Sequence, residues 1–374
     1  MPTIGILGGG QLAKMTAQAA SALDIDVIVF AKKADEPALK LVPNHMIGAW
    51  DDEDLLKQFA EQCELVTLES EFVPPEILRR IEALDTPVYA SSVTLDLVRD
   101  KLMQKRHMQQ AGIDVPRFTK VMVGSDILEA SVEYGFPVML KARTMGYDGY
   151  GNVLIRRAHD IEAALEKLNG RELMVEALVN FVRELAVIVA RSRTGEIRVY
   201  PVVETVQKNN ICHTVRCPAP IDESTAKLAT DMAIAAVEAI DGVGVFGVEM
   251  FELPHNQVLF NEIAPRPHNS GHYTIEGTIT SQFENHIRAI LGWPLGDVAQ
   301  IAPATVMINI LGEREGPPNP TALSDALSVG GVHWHLYGKS QVRPGRKMGH
   351  VTILGYSADG AEKVGRLALS KLKL

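Results

Sequence analysis

The chain of 374 residues lacks three features that would assign it to a broad class of protein. Its few cysteines, Cys63, Cys212 and Cys217, form no CxxC pair, and an odd count without that spacing suits a reducing compartment. No uninterrupted apolar run has the length of a membrane span. Strand-like sequence begins at Thr3, so we expect no signal peptide and a cytoplasmic location.

An excess of basic residues is also missing, since 37 Lys and Arg face 46 Asp and Glu and give a net charge of −9. Contacts to nucleic-acid phosphates need a basic surface, so we expect no nucleic-acid partner. A small phosphorylated substrate needs only a local basic pocket and stays compatible with this charge. The hydrophobic content of 46% is typical of a soluble globular enzyme.

The length allows two or three domains, and the sequence pattern changes twice along the chain. The first hundred residues alternate apolar strands with helices, which predicts a parallel sheet. We predict an α/β and α+β protein with a doubly wound N-terminal domain at 1–98, a central domain at 99–298 and a small C-terminal domain at 299–374. Within the central domain, residues 118–178 are expected to form a lid.

Two glutamates on adjacent predicted strands are the most informative feature of the central region. Glu249 and Glu262 lie on either side of a four-residue loop, residues 254–257, and a symmetric hairpin places them opposite each other. Like charges in that position destabilise a sheet unless a cation lies between them. Hard oxygen ligands with few protein donors suit magnesium, which also binds substrate phosphates. The alternative is a solvated edge pair whose side chains splay apart.

The glycine-rich turn at residues 8–13 fits the dinucleotide-binding pattern after a strand. The second strand ends in residues 31–33, Ala-Lys-Lys, where a ribose-binding acid is needed, so a nicotinamide-dependent oxidoreductase is disfavoured. The helix start at Gly10, Gln11 and Leu12 suits a substrate phosphate or carboxylate, because its N–H groups are free of helical partners. The alternative is a tight strand-to-helix turn.

A second phosphate-binding pattern follows the strand that ends at Lys141. The glycine-rich segment 144–151 lets backbone N–H groups approach phosphate oxygens, and the lysine supplies a point charge. The alternative is a flexible hairpin beside a lysine that covers apolar surface. Further on, an adenine could stack on the linker 176–179, with Glu184 binding the ribose hydroxyls.

Two polar segments complete the pattern. Residues 261–272 contain two histidines four apart, but Pro265 and Pro267 make a zinc-binding helix improbable, and Arg266 and His268 suit an anion better. Lys339, Arg343, Arg346 and Lys347 form a basic stretch without an intervening acid. This stretch is either a clamp for a substrate phosphate or a solvated surface loop.

The order of these motifs resembles the ATP-grasp superfamily. The segments 264–274, 146–149 and 343–349 narrow the resemblance to the 5-(carboxyamino)imidazole ribonucleotide synthase family of purine biosynthesis. The resemblance implies carboxylation of the exocyclic amine of 5-aminoimidazole ribonucleotide with ATP and bicarbonate, through carboxyphosphate. It also implies a magnesium cofactor and a homodimer.

The resemblance also assigns site residues. It implies that ATP is bound by Arg99, Lys141, Gly146, Tyr147, Asp148, Gly149, Gly151, Glu176, Ala177, Leu178, Val179, Glu184, Gln207, Asn261 and Glu262. It implies that the ribonucleotide is bound by Gly10, Gln11, Leu12, Glu71, Tyr147, Asp148, Arg266, His268, Lys339, Arg346 and Lys347. Magnesium would lie on Glu249 and Glu262. The expected catalytic residues are Lys141, Asp148 and Arg266, with Asp148 orienting the amine or taking its proton.

Three positions depart from the family pattern. Met145 and Tyr150 stand where the family often has glycine and lysine, and Gln207 stands where relatives often have histidine. Two alternatives share the ATP site: a formate-dependent ligase acting on glycinamide ribonucleotide, and a catalytically silent ATP-binding regulator. The complete set of charged residues disfavours the regulator.

Overall fold

The computed structural model describes residues 1–146, 151–319 and 323–372. These residues form a parallel sheet, a small antiparallel sheet and a large antiparallel sheet, each covered by helices. The expected combination of α/β and α+β architecture is therefore confirmed. No helix in the described ranges is long and apolar enough to cross a membrane.

The N-terminal region is a doubly wound α/β unit with strand order β3-β2-β1-β4-β5, in which all pairings are parallel. Its strands are β1 (Thr3–Leu7), β2 (Asp26–Ala31), β3 (His45–Ile47), β4 (Leu65–Leu68) and β5 (Val88–Tyr89). Its helices are α1 (Gln11–Ala22), α2 (Glu53–Glu61), α3 (Pro75–Glu82) and α4 (Ser92–Val98). The order reverses between β1 and β4, so the loops after these strands open on one crevice, where such sheets bind ligands.

Helix α5 (Lys101–Gln110) connects this unit to a small antiparallel sheet of order β6-β9-β7-β8. The strands are β6 (Phe118–Val121), β7 (Val138–Ala142), β8 (Asn152–Ile155) and β9 (Leu173–Ala177), and the helices are α6 (Gly124–Tyr134) and α7 (Ile161–Lys167). Helix residues such as Ile127 and Ile161 pack with strand residues such as Leu140 in a separate apolar core. This sheet carries Lys141 and the base of the glycine-rich segment.

The large sheet has the order β15-β14-β10-β12-β13-β16-β18-β17, with β11 paired to β10. Its first strands are β10 (Arg183–Arg191), β11 (Ile197–Val199), β12 (Val203–Lys208), β13 (Ile211–Cys217), β14 (Gly244–Leu253) and β15 (Gln257–Ala264). Its last strands are β16 (Ala304–Leu311), β17 (His333–Leu336) and β18 (Lys347–Gly355). The accompanying helices are α8 (Glu223–Ala239), α9 (Thr274–Gly277), α10 (Gln282–Leu291), α11 (Leu323–Leu327) and α12 (Ala358–Ser370).

The C-terminal strands belong to this same sheet. Strand β13 pairs with β16, with Thr214 opposite Ile308, so the C-terminal unit continues the central sheet. The sequence indicates a separate unit because the break at residues 293–296 is local, whereas the strand pairing joins segments almost a hundred residues apart. The continuity places the basic stretch 339–347 beside the central strands.

The hairpin of β14 and β15 places Glu249 opposite Glu262, as predicted. The predicted four-residue loop is wrong, because Leu253 pairs with Gln257 and leaves a three-residue turn. A register shift then makes Asn261 an extra residue of β15, and this β-bulge restores the pairing of the two acids. The bulge also provides the bend that lets Asn261 and Glu262 both line one cavity.

Candidate active site

A cavity of about 840 Å³ lies between the N-terminal crevice, the small sheet and the large sheet. Many of the predicted site residues line it together. They are Gln11, Leu12, Glu71, Lys141, Gly146, Glu176, Ala177, Leu178, Val179, Glu184, Gln207, Glu249, Asn261, Glu262, Arg266, His268, Lys339, Arg346 and Lys347. Segments far apart in the sequence therefore converge on one site.

Three other predicted residues, Gly10, Arg99 and Gly151, are not among the described residues that line the cavity. Gly151 lies at the base of the glycine-rich segment, where its carbonyl accepts a 2.7 Å hydrogen bond from the amide of Ala142. Arg99 follows the end of α4, and Lys101, two residues later, lines the cavity instead. The predicted residues Tyr147, Asp148 and Gly149 lie outside the described part of the chain.

The opposed acids of the hairpin lie beside a lysine and a histidine. The ammonium of Lys101 contacts the carboxylate of Glu262, and Nε2 of His268 lies 3.5 Å from Oε1 of Glu249. Burial, and then the nearby charges of Glu262 and Glu184, raise the pKa of Glu249 to about 7. A divalent cation would relieve this repulsion, and carboxylate oxygens are the donors that hard cations prefer.

Among the described residues, few other metal-binding side chains surround these acids. Within the described ranges, no group of three or more His, Cys, Asp or Glu side chains has the arrangement of a metal cluster. A cation at this hairpin would therefore take most of its ligands from water and from a bound phosphate. Magnesium binds in this way, through one or two carboxylates.

Glu176 lies between two lysines at the end of β9. Lys141 Nζ is 2.8 Å from its Oε1, and Lys105 Nζ is 2.9 Å from its Oε2. Burial alone would raise the pKa of Glu176, but the two lysines outweigh it and lower the pKa to about 2. Glu176 is therefore ionised, and its side chain holds Lys141 at the wall of the cavity.

The linker after Glu176 borders an aromatic surface of the cavity, formed by Phe181 and Phe251. Phe181 and Phe251 stack with ring centroids 5.0 Å apart and planes 16° apart, and both line the cavity. At the edge of this surface, the carboxyl group of Glu184 forms a hydrogen bond with the side chain of Gln207. Burial raises the pKa of Glu184. A planar base suits the aromatic surface, and a ribose suits the acid.

On another side of the cavity, two residues expected to bind substrate pair with each other. The guanidinium of Arg266 binds the carboxylate of Glu71 through two nitrogens, with Nη2 2.8 Å from Oε1. Burial, and then the charge of Arg266, lower the pKa of His268 to about 3, so its ring is neutral. The ion pair with Glu71 fixes the plane of the Arg266 guanidinium, so Arg266 is oriented along the cavity wall.

The N-terminus of α1 is occupied by side-chain carboxylates. The amides of Gly10 and Ala13 donate to the two oxygens of Glu69 at 2.8 and 3.3 Å, and the amide of Gly9 donates to Glu36. The sequence predicts a phosphate or carboxylate of the substrate at Gly10, but the structure places a protein carboxylate there. The next two residues of the helix still line the cavity. Burial raises the pKa of Glu69 to about 7.

The basic stretch closes the cavity on the C-terminal side. Its cationic residues that line the cavity are Lys339, Arg343, Arg346 and Lys347. Nζ of Lys339 donates to the carbonyl of Lys347 at 2.7 Å, and Arg346 donates to the carbonyl of Gln341 at 2.7 Å. These bonds to the backbone hold the stretch in a fixed shape with its charges gathered at the cavity.

Sequence reasoning missed several lining residues. They include the charged or aromatic residues Glu69, Phe72, Lys101, Phe181, Phe251 and Tyr337. Glu69 had a usable signal, because it directly follows β4 and the carboxyl ends of parallel strands border the ligand crevice. Phe181 and Phe251 carried none, since their stacking joins the linker before β10 to the distant strand β14.

Three sequence models of known domains match the chain. The ribonucleotide synthetase preATP-grasp domain matches residues 1–99, the ATP-grasp domain matches residues 106–283, and the phosphoribosylaminoimidazole carboxylase C-terminal domain matches residues 305–364. Together they reproduce the predicted three-part ATP-grasp architecture.

Individual proteins agree with these matches. The phosphoribosylaminoimidazole carboxylase of Ogataea methanolica is 41% identical over 96% of this chain and 68% of its own length. The N5-carboxyaminoimidazole ribonucleotide synthase of Mycobacterium tuberculosis is 38% identical over 95% of this chain and 84% of its own. The chain thus spans about two thirds of the length of the carboxylases that it matches.

A solved structure extends the likeness to three dimensions. The N5-carboxyaminoimidazole synthase of Aspergillus clavatus, in complex with ADP and 5-aminoimidazole ribonucleotide, is 35% identical to this chain. It superposes with a TM-score of 0.91 over 99% of this chain and 98% of its own. The fold, the cavity and the relatives agree with the resemblance seen in the sequence, and the chain belongs to the N5-carboxyaminoimidazole ribonucleotide synthase family.

Proposed function

We propose that this chain is an ATP-dependent carbon–nitrogen ligase that carboxylates the exocyclic amine of 5-aminoimidazole ribonucleotide with bicarbonate. One observation carries the proposal: a single cavity joins the aromatic surface, the opposed acids Glu249 and Glu262, and the basic stretch 339–347. A nucleotide, its phosphates and a second phosphorylated molecule need these three surfaces side by side.

The nucleotide is assigned to the aromatic surface of Phe181 and Phe251, with the backbone of residues 177–179 at the edge of its base. Lys141 and Lys101 supply positive charge on the phosphate side. Phosphoryl transfer needs positioning and charge neutralisation more than covalent help, and these lysines provide both.

Magnesium is the proposed cofactor, and Glu249 and Glu262 are its proposed protein ligands, with Asn261 beside them. The fit rests on the donor set, which consists of two opposed carboxylates whose mutual repulsion a cation would relieve. When bound, the ion supplies charge neutralisation for the phosphates. The protein's part is to present these oxygens on a rigid hairpin.

Bicarbonate is a poor electrophile, so it must be activated before an amine attacks it. Transfer of the γ-phosphoryl group to a bicarbonate oxygen gives carboxyphosphate, which breaks down to carbon dioxide and phosphate beside the amine. The amine forms the new carbon–nitrogen bond and loses a proton. Asp148, outside the described residues, stays the proposed group that orients this amine or takes its proton.

The ribonucleotide is assigned to the C-terminal side of the cavity. Arg346, Lys347 and Lys339 are proposed to bind its phosphate, because basic side chains gather there in a chain of net charge −9. Arg266, held by Glu71, and the neutral His268 are proposed to face the imidazole ring. A neutral imidazole has a ring nitrogen that can accept a hydrogen bond from an amine.

Two properties of the whole protein belong to the same proposal. We expect a homodimer and a cytoplasmic location. Size-exclusion chromatography with light scattering would measure the oligomeric state, and a monomer at micromolar concentration would contradict the first expectation.

The test is a phosphate-release assay with ATP, magnesium and 5-aminoimidazole ribonucleotide, run with and without added bicarbonate. We expect release to depend on both the ribonucleotide and bicarbonate. The alternative ligase would need glycinamide ribonucleotide and formate instead, and activity with that pair alone would overturn the proposal. The match of residues 305–364 to the carboxylase C-terminal domain favours bicarbonate.

A further inference from the structure

One face of α5 lies against the acidic hairpin. Lys101, Gln104 and Lys105 are spaced three and four residues apart, so they lie on one side of the helix. Strand β15 pairs with β14 along one edge and ends the large sheet, and no strand in the described part of the chain lies along its other edge. The side chains of α5 meet that edge at residues 261–263.

Gln104 takes the place of a neighbouring strand at this edge. Its Oε1 accepts from the amide of Ile263 at 3.1 Å, and its Nε2 donates to the carbonyl of the same residue at 3.0 Å. The Nε2 group also donates to the carbonyl of Val98 at 2.9 Å, and the side chain is only 2% exposed. Buried backbone groups need partners, and one amide side chain satisfies both groups of Ile263.

Lys105 holds the bulge itself. Its Nζ donates to the carbonyl of Asn261 at 3.1 Å and lies 2.9 Å from a carboxylate oxygen of Glu176. A lysine that is 2% exposed is tolerated only with such partners. Lys105 thereby connects Glu176, the first residue of the linker 176–179, to Asn261, the extra residue of β15.

Both neighbours of Glu262 are therefore fixed from outside the sheet, one by each side chain. The register matters, because a shift of one residue in a strand turns its side chains to the opposite face. The bulge at Asn261 supplies that one-residue correction, and without it Glu262 would not lie opposite Glu249.

We propose that Gln104 and Lys105 are positioning residues that hold the bulge in β15 and so set the affinity of the Glu249–Glu262 pair for a divalent cation. The inference rests on the proposed function only in naming the cation and the nucleotide. Gln104 and Lys105 take no direct part in the proposed chemistry, and their role is to position β15.

The test uses Gln104→Leu and Lys105→Met in the full chain, with Asn285→Leu as the matched control. Asn285 is also buried and also forms a hydrogen bond with the backbone, because its Oδ1 accepts from the amide of Gly296 at 2.7 Å. It differs from Gln104 and Lys105 in that it lies on α10. Binding of Mn²⁺ is titrated by electron paramagnetic resonance at saturating ADP. We expect each α5 variant to bind Mn²⁺ about 10–100-fold more weakly, the usual loss when a support of a metal ligand is removed.

The control separates positioning from general destabilisation. Asn285→Leu should lower the melting temperature as the α5 variants do, while its Mn²⁺ affinity stays within about twofold of the original chain. If an α5 variant does not fold, the conservative variants Gln104→Glu and Lys105→Arg replace it, and we expect Lys105→Arg to keep the affinity. Unchanged Mn²⁺ affinity in the folded α5 variants, or an equal loss in the control, would overturn the inference.

Failure of the proposed function gives a different result. If the unsubstituted protein binds Mn²⁺ and ADP but does not carboxylate the ribonucleotide, the proposed function is wrong. The Mn²⁺ titration then still tests the positioning role of Gln104 and Lys105. If the original chain binds no Mn²⁺ in the presence of ADP, the positioning role falls with the metal site.

Discussion

Glu262 occupies a position where a carboxylate is costly by itself, because another carboxylate lies directly opposite on β14. The contact with Lys101 balances part of this charge, and the side chain of Glu262 is half-buried, so water screens only part of the remainder. The carboxylate of Glu262 is thus placed where a bound cation would neutralise its charge.

Changing Glu262 to Gln should remove one ligand charge and keep the shape of the side chain. We expect ATP turnover to fall roughly 10²–10³-fold, the usual cost of removing one group that stabilises transferring charge. The melting temperature should hardly change, since the repulsion with Glu249 also disappears. Steady-state kinetics with Glu238→Gln, an exposed acid on α8, as control would check this, and near-normal turnover would contradict the role.

Arg346→Ala should act on one substrate more than on the other. The residue belongs to the basic stretch, so we expect the apparent KM for the ribonucleotide to rise far more than the KM for ATP. Lys363→Ala, an exposed cation on α12, is the control for net charge. Equal effects on both substrates would rule out the phosphate clamp.

Glu69 should make folding stability depend on pH. Burial raises its pKa from the ordinary 4.5 to about 7, so between these values the folded chain keeps a proton that the unfolded chain has lost. Stability contributed by this residue therefore falls as pH rises through that window. Glu69→Gln should gain melting temperature relative to the original chain between about pH 5 and about pH 8. A difference that is constant across this range would contradict the assignment.

At the scale of elements, the hairpin shows what the sequence could predict. The prediction of two adjacent strands around a short loop, with Glu249 opposite Glu262, is confirmed. The loop length was wrong, and the bulge that compensates for it depends on Gln104 and Lys105, which lie about 160 residues earlier in the chain. The local sequence pattern of β15 carries no information about a contact with side chains of α5.

The start of α5 joins two parts of the site. Asp100 accepts from the amide of Leu102 at 2.9 Å as the helix N-cap, and it also binds the guanidinium of Arg143 at the base of the glycine-rich segment. The amide of Lys101 donates to the carbonyl of Arg143 at 2.8 Å. Helix α5 is therefore tied to the small sheet as well as to β15.

Two substitutions at Asp100 separate these roles. Asp100→Asn keeps a cap acceptor and removes the charge opposite Arg143, whereas Asp100→Ala removes both. We expect the Ala variant to be less stable than the Asn variant by about 1 kcal/mol, the usual value of a helix cap. Urea unfolding measures the difference, and equal stabilities would show that the cap contributes nothing here.

At the scale of the molecule, the motifs predicted the three-part fold and about half of the residues that line the cavity, because glycine turns, strand ends and basic stretches carry local signals. The pairing of β13 with β16, the carboxylate of Glu69 at α1, and the place of Lys101 instead of Arg99 were not predicted. Each depends on contacts between distant segments. The shared sheet explains how the basic stretch 339–347 comes to face the acidic hairpin.

The central claim is that this cavity activates bicarbonate by phosphorylating it. Bicarbonate labelled with oxygen-18 distinguishes this route most directly, because carboxyphosphate keeps a bicarbonate oxygen on phosphorus when it breaks down. With ATP and 5-aminoimidazole ribonucleotide present, we predict that the released phosphate carries one labelled oxygen, seen as an isotope shift in its phosphorus NMR signal. Phosphate released without label during carboxylation of the amine would contradict the account.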